Sequence, residues 1–418
     1  RQSIDPELIS SNNNLAIAYE NLDKFSISEK YYKEAIEMLC QLPDDHPKCV
    51  EQPDYRKRML GILYNNLGQT YEKKCDVKNE EIYKLKTVAL FEELYANQIH
   101  PHLHTGYNNL AIFYHKKGDF INAELYYTRS LNVERQLNRG ALSIGYAICQ
   151  NNLGIFYCEL GKYEQAKKFY DESIETLREL KERSNTDEVN PIIVTFLIHL
   201  SRYYMKVGEY ALAIENGRKA YKIGEKIFDR QTENLAEVLS TYGLALCYYS
   251  TTSTTSHSLT ARSSSINEND DWQEGKNKIS KGLEIRQQLN HQVRLSYSYF
   301  DLSMAWYIKN NWKLQLFNVQ NAIKKATNDI EIFTKVYYHY YEGEGYFHHG
   351  LYEKEIESKM ESIRILKSLI NYNNHPLLPH YLRDVARSYQ LLNKTTMHDI
   401  FVDMAKEADV KNSLLEGV

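Results

Sequence analysis

The chain has 418 residues, a formal net charge of −4 at pH 7, 43% hydrophobic residues and 25% charged residues. This balance is typical of a folded soluble protein and disfavours a nucleic-acid binder, because that class usually carries a basic excess. No apolar run approaches the roughly 20 residues that a membrane-spanning helix needs, and six scattered cysteines favour a reduced, cytoplasmic protein over a disulfide framework.

Tyrosine is frequent, with 35 residues, whereas proline is rare, with 8. Tyrosine rings fill the seams between packed helices and keep a hydroxyl for water or a partner. Few prolines and no alternating β-branched runs predict an all-α chain.

A helical motif recurs from the start of the chain. Its clearest copies read NNLAIAYENLDKF from Asn13, YNNLGQTYEKKCD from Tyr64, YNNLAIFYHKKGD from Tyr107 and QNNLGIFYCELGK from Gln150. One small residue marks each of nine copies: Ala16, Gly68, Ala111, Gly154, Ser201, Ala245, Ser303, Gly343 and Ala386. Most spacings between successive small residues are about 43 residues, which indicates a repeat architecture.

Each copy has two halves. A first helix, helix A, carries the small residue, and a turn that often contains glycine leads to an aromatic residue that begins helix B. A second small residue follows in the clearest copies, at Ser28, Ala123, Ala166 and Ala213. We expect the two small residues to face each other where the helix backbones come close. Proline at the start of helix A, as in Pro101, suits the first helical turn.

These units predict a single right-handed α-solenoid of about nine helix hairpins over residues 1–418. The predicted repeats are 1–40, 55–97, 101–138, 141–183, 191–229, 232–290, 293–328, 331–371 and 376–412, the last being a repeat or a cap. Residues 41–54, with three prolines, are predicted to form an extended loop. Residues 250–270 are rich in Ser and Thr and predict a disordered insertion inside one hairpin, or alternatively a phosphorylated regulatory loop.

Three histidines, His100, His102 and His104, raise the question of a metal site. They straddle a predicted helix start, and no cysteine or carboxylate is placed to complete a tetrahedral site, so we interpret them as helix-start residues. Cys40, His46 and Cys49 lack the spacing of a zinc finger. No phosphate-binding glycine loop and no nucleophile motif appears. The sequence thus predicts no metal, no cofactor and no enzyme.

The motif of Leu, Gly or Ala, and Tyr on helix A, followed by a Gly-x-aromatic turn, resembles tetratricopeptide repeats. Residues 58–183 are most similar to the repeats of kinesin light chains and related adaptors. The stretch YYHYYEGEGYFHHGLYEKEI loosely resembles bacterial peptide-pheromone receptors of the Rap and PlcR type. The resemblance implies stacked hairpins whose A helices line a concave face.

In such repeats the residue before the helix A leucine points into the groove. Here asparagine takes this place four times, and in kinesin-light-chain-like proteins such a ladder pairs with a peptide backbone. The alternative is that each asparagine bonds to the next repeat. In later copies this place is taken by Gly243, Asp301, Tyr341 and Asp384, so we expect the groove in the N-terminal half. The predicted partner-binding residues are Asn14, Asn66, Gln69, Lys73, Asn109, Lys116, Asn152, His199, Arg202 and Lys206.

The basic residues beside the ladder favour a protein or peptide partner with acidic character. The sequence therefore predicts a non-enzymatic adaptor that binds a segment in its groove, without nucleic acid and without membrane insertion. Two alternatives stay open. One is the sensor part of a larger signalling protein whose effector domain lies outside this chain, and the other is a subunit of a cytoskeletal or ciliary assembly.

Overall fold

A computed structural model describes residues 5–22, 24–74, 76–96, 98–184, 190–251, 268–289, 292–326, 332–368 and 377–416. Within these residues the secondary structure is helical, and no strand occurs. The helices are α1 (Pro6–Asn21), α2 (Phe25–Gln41), α3 (Pro47–Glu51), α4 (Tyr55–Lys73), α5 (Val77–Leu94), α6 (Pro101–Lys117), α7 (Phe120–Leu137), α8 (Ile144–Glu159), α9 (Tyr163–Ser184), α10 (Asn190–Lys206), α11 (Tyr210–Ile227), α12 (Glu233–Tyr249), α13 (Glu268–Gln288), α14 (Gln292–Ile308), α15 (Trp312–Lys325), α16 (Ile332–His348), α17 (Tyr352–Ser368), α18 (Leu377–Leu391) and α19 (Thr395–Glu416).

Neighbouring helices pack as hairpins. The closely packed pairs are α1 with α2, α4 with α5, α6 with α7, α10 with α11, α12 with α13, α14 with α15, α16 with α17 and α18 with α19. The predicted all-α solenoid class is confirmed, whereas its handedness and its number of repeats stay predictions. The chain divides into two compact units, Arg1–Cys149 and Gln150–Val418, and we describe each by itself.

Local sequence explains where the helices begin and end. In α6, Pro101 is the first residue, and His100 Nδ1 accepts a hydrogen bond from the backbone N–H of His102 at 3.2 Å. Asp119 caps α7 in the same way, accepting from the N–H of Asn122 at 3.2 Å. Between these helices Gly118 has φ +79°, a left-handed conformation that glycine adopts without steric cost. The predicted glycine turn is thus confirmed here.

Small residues lie at the closest approaches between helices A and B. Ser201 Oγ donates to the Ala213 carbonyl at 2.8 Å, so the predicted pair of small residues does meet in this hairpin. In two other hairpins the arrangement differs, because a glycine of helix A lies against a buried lysine of helix B. Gly68 packs against Lys84, and Gly343 packs against Lys359.

The register of the sixth copy differs from the prediction. A close backbone approach of α12 to α13 lies at Gly243, which meets Gly275, two residues before the predicted Ala245. Gly243 is therefore a second small residue of this copy at a helix contact, and it is not open to the groove. Both residues are small, so either fits the motif. The insertion separates this helix A from its helix B, and without a short turn between them the sequence does not decide which residue faces helix B.

Two breaks were predicted in the array. Residues 41–54 are not a plain extended loop, because Pro47–Glu51 forms the short helix α3, capped by the His46 side chain. The predicted insertion covers residues 250–270, and residues 252–267 lie outside the part of the chain that the structure describes. On its far side Trp272 is buried and its Nε1–H donates to the Ala305 carbonyl at 3.0 Å.

Candidate binding site

The asparagine ladder of the first unit bonds across repeats. Asn66 Nδ2 donates to Asn13 Oδ1 at 3.1 Å, and Asn109 Nδ2 donates to Asn65 Oδ1 at 2.8 Å. The second asparagine of one repeat thus bonds to the first asparagine of the preceding repeat. Asn14 is exposed at the start of this row. The contacts give these amides a structural role, as the alternative interpretation requires.

The predicted lysines of the first unit are paired with carboxylates. Lys73 Nζ lies 2.7 Å from Glu20, and Lys116 Nζ lies 2.5 Å from Glu72. Glu72 also contacts the buried Lys84 at 2.8 Å. Burial alone would raise the pKa of Glu72, but the two lysines outweigh it and lower that pKa to about 2. This face is therefore close to neutral around these lysines.

In the second unit, three predicted residues converge on a cavity of about 290 Å³. His199, Arg202 and Lys206 follow one another at helical spacing on one face of α10. Ile155, Cys158 and Glu159 of α8 lie beside them, with Tyr170, Tyr203, Tyr297, Phe300, Asp301, Phe333, Thr334 and Tyr337 completing the lining. The walls come mostly from the A helices α8, α10, α14 and α16.

Two of the polar groups in this cavity have partners. Arg202 Nη1 lies 3.1 Å from Glu237 Oε1 of α12, and this arginine helps to lower the pKa of Glu237 to about 2 against the effect of burial. His199 Nδ1 lies 3.1 Å from Asn151 Oδ1. Burial lowers the pKa of His199 to about 4, so the ring is neutral at pH 7.

Two other charged groups in the cavity have no oppositely charged partner at ion-pairing distance among the described residues. They are Lys206 and Asp301. Lys206 Nζ lies over the Tyr337 ring of α16, 5.5 Å from its centre, and its side chain stays accessible to water although protein surrounds the cavity. Burial raises the pKa of Asp301 to about 6. Burial opposes the charge of Lys206, but Tyr337, Cys158 and Glu159 outweigh it and raise the pKa of this lysine. The site thus holds one cation and one anion that form no ion pair with each other or with another described residue.

Known proteins give the fold a name. The tetratricopeptide repeat family matches residues 103–179 and, in a second form, residues 8–47. Residues 8–47 and 103–179 of the chain are tetratricopeptide repeats. A search of curated proteins finds no match.

Two solved structures match this chain over nearly its whole length. A Rap protein complexed with competence and sporulation factor is 12% identical with a TM-score of 0.54, covering 98% of this chain and 99% of that chain. The apo form of RapI is 14% identical with a TM-score of 0.51, covering 97% and 98%. A putative kinesin light chain repeat protein of Podosopora anserina is 12% identical with a TM-score of 0.41, covering 55% and 99%. At these identities the similarity concerns the fold alone.

The histidines of the tetratricopeptide helix α6 have structural contacts. His100 caps the helix and stacks on Tyr95 with ring centres 3.8 Å apart, while His102 stacks on Phe91 at 5.0 Å. Throughout the described ranges, no three His, Cys, Asp or Glu side chains are grouped closely enough to hold a metal ion. Nor does any described helix have the length and apolarity to cross a bilayer.

One cluster contains the atom types of a nucleophilic triad. Cys149 Sγ lies 3.6 Å from His104 Nδ1, and His104 Nε2 lies 3.8 Å from Glu134. The thiol is buried among packed helices, and burial raises its pKa to about 12, so the thiolate that would attack a substrate is strongly disfavoured. His104 instead shares a short contact of 2.8 Å with the buried Ser130 hydroxyl. We interpret this cluster as part of the hairpin core.

Sequence reasoning found the α10 face but missed the opposite wall. Asp301 was recognised as a groove position without being chosen as a site residue, and Tyr337 was not considered. The position two residues before the small residue of each repeat marks Asp301 as groove-facing, just as it marks His199. Tyr337 carries no such signal, because only the three-dimensional course of the unit brings α16 opposite α10.

His199 should make the second unit sensitive to acid. Between pH 6.5 and about 4 the unfolded chain protonates this histidine and the folded chain does not, so stability falls as pH falls through that window. Replacement His199→Asn keeps a hydrogen-bonding side chain beside Asn151 and removes the titration. We expect the variant to gain about 1–2 kcal/mol of unfolding free energy relative to the parent between pH 7 and pH 4.5. Urea unfolding of both proteins at each pH measures this, and a constant difference would contradict it.

Proposed function

We propose that this tetratricopeptide repeat protein is a non-enzymatic scaffold that binds a segment of a peptide or protein partner at the cavity of its second unit. The observation that supports it is the water-accessible Lys206, which lines an aromatic cavity without a carboxylate partner. Tyr337, Cys158 and Glu159 outweigh the effect of burial and raise the pKa of Lys206, so this lysine stays charged, and a ligand carboxylate can form the ion pair that the described residues do not supply. The partner therefore carries an acidic group that is directed to Lys206, since Arg202 already pairs with Glu237.

The composition of the walls suits this role. Ligand cavities are concave and mostly apolar, with a few polar groups that fix orientation, and they begin near 300 Å³. The cavity here, at about 290 Å³, accepts one or two side chains and not a folded domain. Tyr203, Phe300 and Phe333 supply apolar area, while His199 supplies a neutral ring. One structure of similar fold was solved in complex with competence and sporulation factor, which supports a binding role for a fold of this kind.

The predicted residues of the first unit form a second contact surface in this proposal. A primary amide has two donors and an acceptor with two lone pairs, so an asparagine bonded to the next repeat keeps capacity for a peptide backbone. In the first unit Asn14, Asn66, Gln69 and Asn109 contribute such amides, and Asn152 contributes one in the second unit. Lys73 and Lys116 are already compensated and contribute less than Lys206.

Peptides selected from a random library displayed on phage against the whole chain test the proposal. Selected peptides are synthesised and their dissociation constants measured by fluorescence anisotropy. We expect Lys206→Met and Tyr337→Ala each to weaken binding by about tenfold, close to 1.4 kcal/mol. Lys219→Met is the matched control, because that lysine is exposed on α11 and paired with Glu215 at 2.5 Å. It should bind like the parent.

Two results would contradict the proposal. One is equal affinity of parent, Lys206→Met and Tyr337→Ala with circular dichroism showing all three folded. The other is a failure to select any peptide. The double variant Asn66→Ala/Asn109→Ala tests the first unit separately, because it leaves the cavity intact. Weaker binding by this variant, with unchanged helicity, assigns part of the affinity to the asparagine ladder.

A further inference from the structure

We infer that the cavity selects a segment carrying both signs of charge, with a carboxylate directed to Lys206 and an ammonium or guanidinium group directed to Asp301. This inference rests on the proposed function and names the chemistry of the segment that the same cavity takes. An acidic residue and a basic residue separated by one residue, in either order, are the pattern that we expect.

The charges of the cavity carry the inference. Arg202 is compensated by Glu237 at 3.1 Å, so it adds little net charge. Lys206 and Asp301 line the same cavity, yet neither has an oppositely charged partner at ion-pairing distance in the described part of the chain. They do not compensate each other, since no ion pair joins them. A purely acidic ligand would meet repulsion at Asp301, and a purely basic ligand would meet it at Lys206.

The arrangement of the two groups allows one short segment to reach both. Lys206 and Asp301 line the same cavity, and no ion pair joins them. In an extended peptide, residues two apart lie on the same side and about 6.6 Å apart, so a three-residue segment can present both charges within the cavity. This is the reason for testing an acidic and a basic residue separated by one residue.

The environment treats the two charges differently. Burial raises the pKa of Asp301 to about 6, which shows that its charged form is disfavoured in the empty cavity. Burial also opposes the charge of Lys206, but Tyr337, Cys158 and Glu159 outweigh it and raise the pKa of this lysine. A ligand cation therefore removes a cost at Asp301, and a ligand carboxylate meets a cation that stays charged at Lys206. This is the reason for expecting a preference for the doubly charged segment over either singly charged one.

Five capped, fluorescein-labelled peptides with the central sequences Glu-Phe-Lys, Lys-Phe-Glu, Gln-Phe-Lys, Glu-Phe-Gln and Gln-Phe-Gln test the inference by anisotropy with the whole chain. We expect at least one doubly charged peptide to bind about tenfold more tightly than both of its singly charged relatives. Asp301→Asn should abolish the preference for lysine over glutamine while keeping the preference for glutamate. Lys206→Met should do the reverse.

The two variants differ from the parent by near-isosteric changes, and circular dichroism checks their folding. Equal binding of all five peptides, or a preference for one sign of charge only, would overturn the inference. If the phage-selected peptides depend on Lys206 and Tyr337 while the five-peptide panel shows no charge pattern, the proposed function stands and this inference fails. If the selected peptides do not depend on these residues, the proposed function fails as well.

Discussion

Replacing Lys359 by methionine should lower the free energy of unfolding by about 3–5 kcal/mol. Lys359 of α17 is fully buried against α16 and α18. Its ammonium contacts three carboxylates, Glu344 at 2.6 Å, Glu355 at 2.9 Å and Asp384 at 3.5 Å. Removing one partner of a buried ion pair leaves the other charge uncompensated, which costs more than the pair itself contributes. Here three carboxylates depend on one lysine.

The surroundings of Lys359 explain why relaxation offers little relief. Ser388 donates to Glu355 at 2.6 Å, and Tyr340 donates to Asp384 at 2.8 Å, so both carboxylates are held in place by hydrogen bonds. Burial raises the pKa of Glu355 even though Lys359 opposes it. In the variant we expect the pKa of this carboxyl to rise further because Lys359 no longer opposes burial, and proton uptake limits the loss but does not cancel it.

Urea unfolding followed by circular dichroism measures the effect. The control is Arg364→Met, which removes an exposed cation paired with Glu361 on the same helix and should leave the free energy of unfolding nearly unchanged. The double variant Lys359→Met/Glu355→Met removes a cation and an anion together and should recover part of the loss. A single variant as stable as the parent would show that these carboxylates are solvated and that the network is not buried.

The repeat pattern gave the fold class from sequence because each hairpin is defined by local signals. Proline at a helix start, glycine in a turn and a small residue on helix A depend on residues close in sequence, and Pro101, Gly118 and Ser201 behave as predicted. The sixth copy shows the limit of this reasoning. Its insertion replaces the short turn between helix A and helix B. Without that turn, Gly243 and Ala245, two residues apart, fit the place of the small residue equally well.

The buried lysines were not predicted, because a lysine in a helix pattern normally lies on a solvated face. Lys84 and Lys359 follow a glutamate by four residues on helix B, Glu80 and Glu355, and each faces a glycine of helix A. The combination of glycine on helix A with Glu-x-x-x-Lys on helix B could identify such pairs in a repeat sequence. In α7 and α9 the position of this glutamate is taken by alanine, and the position of this lysine is taken by tyrosine.

Half of the candidate site followed from the sequence. The face of α10 was predicted because helical periodicity places His199, Arg202 and Lys206 on one side. The opposite wall requires knowing that α14 and α16 lie across the cavity, and repeat spacing contains no such information. The two charges without an ion-pair partner lie on different walls of the cavity. Lys206 and Asp301 belong to helices about a hundred residues apart in the chain.

The contact between α12 and α13 should be intolerant of any added side-chain atom. A Cβ at Gly275 would collide with the carbonyl oxygen of Gly243, and a Cβ at Gly243 would lie 2.5 Å from that of Gly275. Both obstacles are backbone atoms, so no side-chain rotation relieves them. We expect Gly275→Ala to lower the free energy of unfolding by about 3 kcal/mol in urea, despite the higher helix propensity of alanine.

The matched control is Gly106→Ala in α6, where the nearest atom to the added Cβ would be a side-chain carbon at 3.5 Å. That distance is ordinary van der Waals contact, so this variant should be neutral or gain about 0.5–1 kcal/mol from reduced chain entropy. If both variants lost the same stability, helix contacts at Gly275 would not explain the result.

The close approach at Gly275 also affects the candidate site. The helix α12 that it holds carries Glu237, the partner of Arg202 at the cavity. Separating α12 from α13 would move this carboxylate and leave the guanidinium of Arg202 less compensated. We therefore expect Gly275→Ala to alter peptide binding at temperatures where the variant is still folded, whereas Gly106→Ala should bind like the parent. Anisotropy titrations of both variants with a phage-selected peptide separate an effect on the cavity from a loss of stability alone.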